Sequence, residues 1–170
     1  MKRTLATGLN WKIGYTLLES MIAVLIIGLL AAILAPSLQK ARNDARDKQA
    51  TIDTSLISGA VEQLAWDTSH WPGGEDISYT VVVGNELTDL NTTNAGLVLW
   101  GAQFDVNKWH GPYISNIEDD PWASKYFFDC DYELYPSNTV VTVIGSFGIN
   151  KGTLNVYSDG DNIIDVIKSY

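Results

Sequence analysis

Residues 14–36 read GYTLLESMIAVLIIGLLAAILAP, and the fold turns on this stretch. From Leu17 to Ala35 the only charged residue is Glu19. A helix rises about 1.5 Å per residue, so this run nearly spans a hydrocarbon core of roughly 30 Å. Lys2, Arg3 and Lys12 precede it with no acid among them, an arrangement that places the N-terminus in the cytoplasm and the following residues outside. The lone carboxylate is the anomaly. An ionised side chain deep in a bilayer costs on the order of 3 kcal/mol unless it is paired.

A removable secretory signal also joins a basic leader to an apolar run. This run is long for one, and its far end, LAPSLQKARNDARD, passes directly into a further helical pattern. A plain single-pass anchor accounts for the length but not for Glu19. Pro36 lacks a backbone donor and is expected to kink or weaken the helix. Beyond it, Leu38, Ala41, Ala45, Ile52, Leu56, Ala60 and Leu64 recur at helical spacing. They predict an amphipathic helix to about Trp66 whose apolar stripe packs on a following sheet. Gly59 is its soft point, and SHWPGGED ends it.

The formal net charge is −9, and the body beyond the leader is more acidic still. An acidic body argues against nucleic acid as a partner, because phosphate binding needs clustered cations. The cations between Lys40 and Lys48 are interrupted by Asp44 and Asp47 and read as a solvated helix face. Cys130 is the only cysteine, so no disulfide forms within the chain, and it reads as a small buried residue. YFFDCDYEL and TVVTVIGSFGIN read as strands, with TLNVY a further one before SDGDNIIDVI, while NTTNAGLVLWGAQ carries turn residues and a short helix. Asn91-Thr92-Thr93 fits a glycosylation triplet, a pattern common by chance.

Catalytic signals are absent. His70 and His110 lack metal-ligand spacing and read as loop residues, and no P-loop, nucleophile elbow or dinucleotide fingerprint is present. Asp120, ahead of Pro121, reads as a turn cap. Oxygen donors are dense only in GINKGTLNVYSDGDNIID (residues 148–165), which is not an EF-hand.

The stretch from Gly14 to Pro36 resembles the N-terminal signature of bacterial type IV pilins and type II secretion pseudopilins. In that family a prepilin peptidase cuts after a glycine, here Gly14. The new first residue, usually phenylalanine, is Tyr15, and the fifth is a glutamate, here Glu19. Gly111-Pro112-Tyr113 and Asp120-Pro121-Trp122 resemble the GPY and DPW turns of the major pseudopilin, with Ala123 and Ser124 where that family usually has glycine and asparagine.

The resemblance implies an α+β, pilin-like fold. It has a leader (1–14), a membrane and filament-core helix (15–37), its amphipathic continuation (38–68) and a globular domain (69–170) with a small antiparallel sheet. It implies a structural subunit rather than an enzyme. After cleavage and N-terminal methylation, Glu19 would meet the free amine of Tyr15 on a neighbour, so that each charge neutralises the other. The implied partners are identical and related subunits, the prepilin peptidase, and an inner-membrane assembly platform with its ATPase. The chain would begin as a single-pass inner-membrane protein and end in a periplasmic or cell-surface filament, as a pseudopilus for protein export. A type IV pilus for adhesion, motility or DNA uptake is the alternative within the family, and a membrane-anchored binding module or hydrolase the alternative outside it. The resemblance further implies one calcium ion, with Asn150, Asp159, Asp161 and Asn162 at the ligand positions.

Overall fold

A computed structural model describes residues 15–78, 86–134, 136–137, 139–150 and 162–169. In order, the elements are helix α1 (Leu17–Thr68), strand β1 (Phe127–Leu134), strand β2 (Thr139–Ser146), one 3₁₀ turn (Gly148–Asn150) and strand β3 (Ile163–Ser169). The chain divides into two compact units, one ending at Arg42 and the other beginning at Asn43.

In the first unit the helix runs on through Pro36. The hydroxyl of Ser37 donates to the Leu34 carbonyl at 2.8 Å, beside the position where proline removes a donor. The helix contains a stretch long and apolar enough to cross a membrane, none of it buried.

The second unit is built on the rest of α1. Ala50, Thr54, Ile57, Val61, Leu64 and Thr68, three or four residues apart, form its buried face, with Ser58, Ala60 and Ala65 alongside. The stripe expected from the sequence is only partly this one. Ala60 and Leu64 are buried, but Ile52 and Leu56 are 62% and 64% exposed, and Leu38, Ala41 and Ala45 are exposed as well. At about 100° per residue, Ile52 and Leu56 lie roughly opposite Ala50 and Val61. The helix is therefore apolar on two sides, and the side with small residues, Ala50, Thr54 and Ser58, is the one that meets the domain.

The three strands form one antiparallel sheet in the order β1-β2-β3. The pairing of β1 with β2 slips between Asp129 and Tyr132. That irregularity decides which residues share a face. Phe128 and Cys130 join Ile57, Val61 and Leu64 of α1 in the main core, whereas Phe127 and Tyr132 pack with Val141 and Val143 in a second cluster. Without an extra residue, strict alternation would have put Tyr132 with Phe128. Cys130 is fully buried, as expected. Burying a side chain such as Leu64 or Phe128 contributes roughly 1.5–3 kcal/mol.

Residues 87–117 complete the main core through Leu90, Ala95, Leu97, Phe104 and Ile117. They form turns, not the short helix expected over residues 91–103. Local bonds compete with a helix here: Asp89 Oδ1 accepts the Asn91 N–H at 3.1 Å, and Thr92 Oγ1 donates to the Asp89 carbonyl at 3.0 Å. Gly96 then adopts φ 72°, where an added Cβ would lie 2.2 Å from the Phe104 ring. Only glycine combines that backbone with that close approach. The strand expected over TLNVY lies outside the described residues.

Candidate functional site

The start of α1 carries the residues on which assembly chemistry would rest. Thr16 precedes the first helical residue, and its hydroxyl accepts the N–H of Glu19 at 3.2 Å. Thr16-Leu17-Leu18-Glu19 is thus a capping-box pattern, with the carboxylate in the first turn, near the positive end of the helix dipole. This local role of Glu19 was readable in the sequence as threonine followed three residues later by glutamate. Tyr15 is 81% exposed, Glu19 is exposed, and Leu17, Leu18 and Met21 around them are exposed as well. Nothing within the chain covers this end of the helix among the described residues. Gly14, the residue expected before the cleavage point, lies outside them.

The two proline turns prove to be tie points. Gly111-Pro112 is a cis peptide. Tyr113 accepts the His110 N–H at 3.0 Å and donates its hydroxyl to Asp67 at 3.0 Å, joining the turn to the end of α1. Burial, with the Asp67 carboxylate beside it, holds the Tyr113 hydroxyl above its usual pKa. His110 Nδ1 stands 3.5 Å from the same carboxylate, and His70 Nδ1 lies 2.7 Å from the Thr68 carbonyl. The two histidines have separate partners.

Asp120 does more than cap its turn. It is 4% exposed. Oδ1 accepts the N–H groups of Trp122 and Ser124 at 3.0 and 2.7 Å, and Oδ2 accepts the Ser146 hydroxyl at 2.6 Å. Ser146 Oγ in turn accepts the Gly148 N–H at 3.1 Å. The turn after Pro121 is thereby tied to the end of β2 and to the 3₁₀ turn that ends at Asn150. Ala123, within it, has φ 61°. That left-handed backbone favours glycine, the residue usual at this place in the resembled family.

Of the four expected calcium ligands, Asp159 and Asp161 lie outside the described residues. Asn150 ends the 3₁₀ turn and is exposed, and Asn162 Nδ2 donates to the Tyr132 hydroxyl at 3.2 Å. Among the described residues, no group of three His, Cys, Asp or Glu side chains is placed to hold a metal.

Two residues gain a role that sequence patterns gave no sign of. Asn91 bonds the Ile117 backbone in both directions, accepting its N–H at 2.9 Å and donating to its carbonyl at 2.7 Å. Its amide is engaged in the fold, against the glycosylation pattern. Asp129, 1% exposed on β1, accepts the Asp131 N–H at 2.9 Å. Burial pushes its carboxyl up to about 7, the Asp131 and Glu86 charges add to the rise, and the Asp131 N–H opposes it.

No family model and no solved structure matches the chain. Curated relatives do. The chain is 26% identical over 113 residues to the type II secretion system core protein G of Klebsiella pneumoniae, covering 66% of this chain and 71% of that protein. It is 29% identical to the protein of the same name from Vibrio cholerae, covering 66% and 67%. With that of Klebsiella michiganensis it shares 31% identity over 118 residues, covering 66% and 70%. With its long apolar N-terminal helix and three-stranded antiparallel sheet, the chain belongs to the family of type II secretion system core protein G, the major pseudopilins.

Proposed function

We propose that this chain is the structural subunit of a periplasmic pseudopilus, polymerising with identical and related subunits as part of type II secretion. The observation that carries the reading is the first half of α1. It is membrane-length, apolar on every side and uncovered, with a single carboxylate, Glu19, in its first turn. In the bilayer such a helix is stable as an anchor. Outside it, only packing against other copies removes this surface from water. Cleavage after Gly14 creates an amine on Tyr15, and the Glu19 carboxylate of a neighbour neutralises it. The prepilin peptidase, the assembly platform and its ATPase are the partners this route requires, with the N-terminus cytoplasmic before assembly.

Glu19→Ala and Glu19→Gln in the full chain test this reading. Glutamine preserves the capping geometry but not the charge. Both variants are expected to insert into the membrane and to yield few or no sheared filaments. Normal filament yield from Glu19→Gln would show that the residue serves only the helix start.

A calcium ion bound by the loop between Asn150 and Asn162 belongs to the same proposal. Its support is the oxygen-donor chemistry of the sequence, in which Asp159, Asp161 and both asparagines fall among glycines. Bound there, the ion would neutralise the carboxylates and order the loop.

A further inference from the structure

On the filament reading, we infer that a groove beside α1 receives the cationic side chain of Arg46 of a second copy of this chain. The groove has a volume of about 250 Å³ and lies between α1 and residues 114–118, with Asp53, Leu56, Ile57, Ile117, Glu118 and Tyr126 in its lining. Leu56, Ile57 and Ile117 suit the methylene stem of a long cation, and Asp53 and Glu118 suit its charged end. Asp53 is held ready, since Oδ1 accepts Gln49 Nε2 at 2.8 Å and Oδ2 accepts the Tyr126 hydroxyl at 2.9 Å. A carboxylate has about four acceptor positions, so each oxygen keeps one for a cation. Among the described residues no cation stands within ion-pair distance of Asp53 or Glu118; Lys125 pairs with Asp119 at 2.8 Å, and the Glu118 charge acts on it from farther away.

Charge complementarity names the occupant. From residue 49 onward the chain has 17 acidic residues against four lysines. The counterpart is the run Lys40–Lys48. Within it Arg46 and Lys48 are exposed and make no ion pair among the described residues. Arg46 lies seven residues from Asp53 on the same helix, beyond the three- or four-residue spacing at which helix side chains meet, so it does not pair with Asp53 of its own chain. A parallel copy can supply it. Arg46 and Asp53 are seven residues apart, or about 10 Å of helical rise. An outer copy displaced by that distance brings its Arg46 level with the inner copy's Asp53. The displacement has the same sense as the four-residue offset, about 6 Å, that sets an outer Tyr15 beside an inner Glu19.

Anionic lipid is the competing occupant for these cations. Arg46 and Lys48 lie ten and twelve residues past Pro36, about 15–18 Å along the helix, whereas the headgroup layer extends only about 5–8 Å beyond the hydrocarbon. Asp44 and Asp47 also interrupt the run. The charge therefore stands level with protein.

The test uses the full chain in cells that supply a type II secretion assembly machinery. Copies carrying Arg46→Cys and copies carrying Glu118→Cys are co-expressed and treated with a short bis-maleimide cross-linker, whose arm replaces the length of the lost side chains. A cross-linked dimer is expected only when both are present. Separately, Asp53→Lys with Glu118→Lys is expected to lower filament yield about tenfold or more, since like charges are then brought together. Adding Arg46→Glu in the same chain is expected to restore most of the yield. Wild-type filaments without the mixed dimer, or with no rescue by the exchanged charges, overturn the inference and leave the filament reading standing. If Arg46→Glu with Lys48→Glu instead abolishes binding to phosphatidylglycerol vesicles and the exchanged charges rescue nothing, the run serves the membrane and the inference fails. Wild-type chains that form no filaments at all refute both readings.

Discussion

Asp129→Asn is expected to stabilise this protein at neutral pH, contrary to the usual effect of altering a buried polar residue. Asp129 is 1% exposed, and its carboxyl is raised from 3.8 to about 7. Burial is the main cause, and the Asp131 and Glu86 charges contribute further. The folded state therefore holds this proton more tightly than the unfolded chain does. Its protonation favours folding: the contribution of this group to stability is fully present below pH about 4, falls as the pH rises toward about 7, and is absent beyond that. At 1.36 kcal/mol per pKa unit, the difference is about 4 kcal/mol between those limits. Asparagine keeps a carbonyl oxygen for the Asp131 N–H, which Asp129 accepts at 2.9 Å, and carries no charge to bury. At pH 8 the variant is expected to be more stable by roughly 2–4 kcal/mol, or about 5–15 °C in Tm for a chain of this size. At pH 4 the difference should shrink to about 1 kcal/mol or less, because both side chains are then neutral. Thermal denaturation of the full-length protein and of the variant in the same detergent, from pH 4 to 8, measures it. Parallel stability profiles over that range would refute the reasoning and mean that Asp129 is ionised and compensated in the fold.

Asp120→Ala leaves two backbone N–H groups and the Ser146 hydroxyl without their acceptor, and is expected to cost about 3–5 kcal/mol in denaturant unfolding, whereas Asp120→Asn costs about 1–2 kcal/mol. Ala123→Gly relieves the left-handed backbone at φ 61°. Less the entropy that glycine adds to the unfolded chain, the net gain is about 0.5–1 kcal/mol, read as a small rise in Tm. For calcium, Tm is expected to be higher with the ion than with a chelator, by the equivalent of about 2.7 kcal/mol at one hundred times Kd. Magnesium should substitute poorly, and Asp161→Ala should erase most of the difference. Identical melting in calcium and chelator would mean the loop is only an acidic turn.

The sequence by itself determined the elements whose cause is local. An uninterrupted apolar run must be a helix in a bilayer, because no other single segment satisfies its own backbone there, and α1 begins at Leu17 as that run does. The β-branched and aromatic runs after Tyr126 became β1 and β2. The family signature was likewise legible, because glycine, aromatic residue and glutamate stand in fixed register ahead of the membrane run.

Only the tertiary structure decided matters that depend on residues distant in the chain. Two apolar faces run along α1, and periodicity alone cannot say which one the domain covers. Small residues at Ala50, Thr54 and Ser58 decided it by letting the domain approach, and left Ile52 and Leu56 outside. The slip between Asp129 and Tyr132 moved Tyr132 to the other face of the sheet, and a two-residue period does not foresee it. Asp120 appeared as a turn cap because its partners Trp122 and Ser124 are near in sequence, but its bond to Ser146 spans 26 residues. The groove at Asp53 and Glu118 has the same origin. Its two carboxylates are 65 residues apart in the chain, and they line one cavity only because Tyr126 and Ile117 pack against α1.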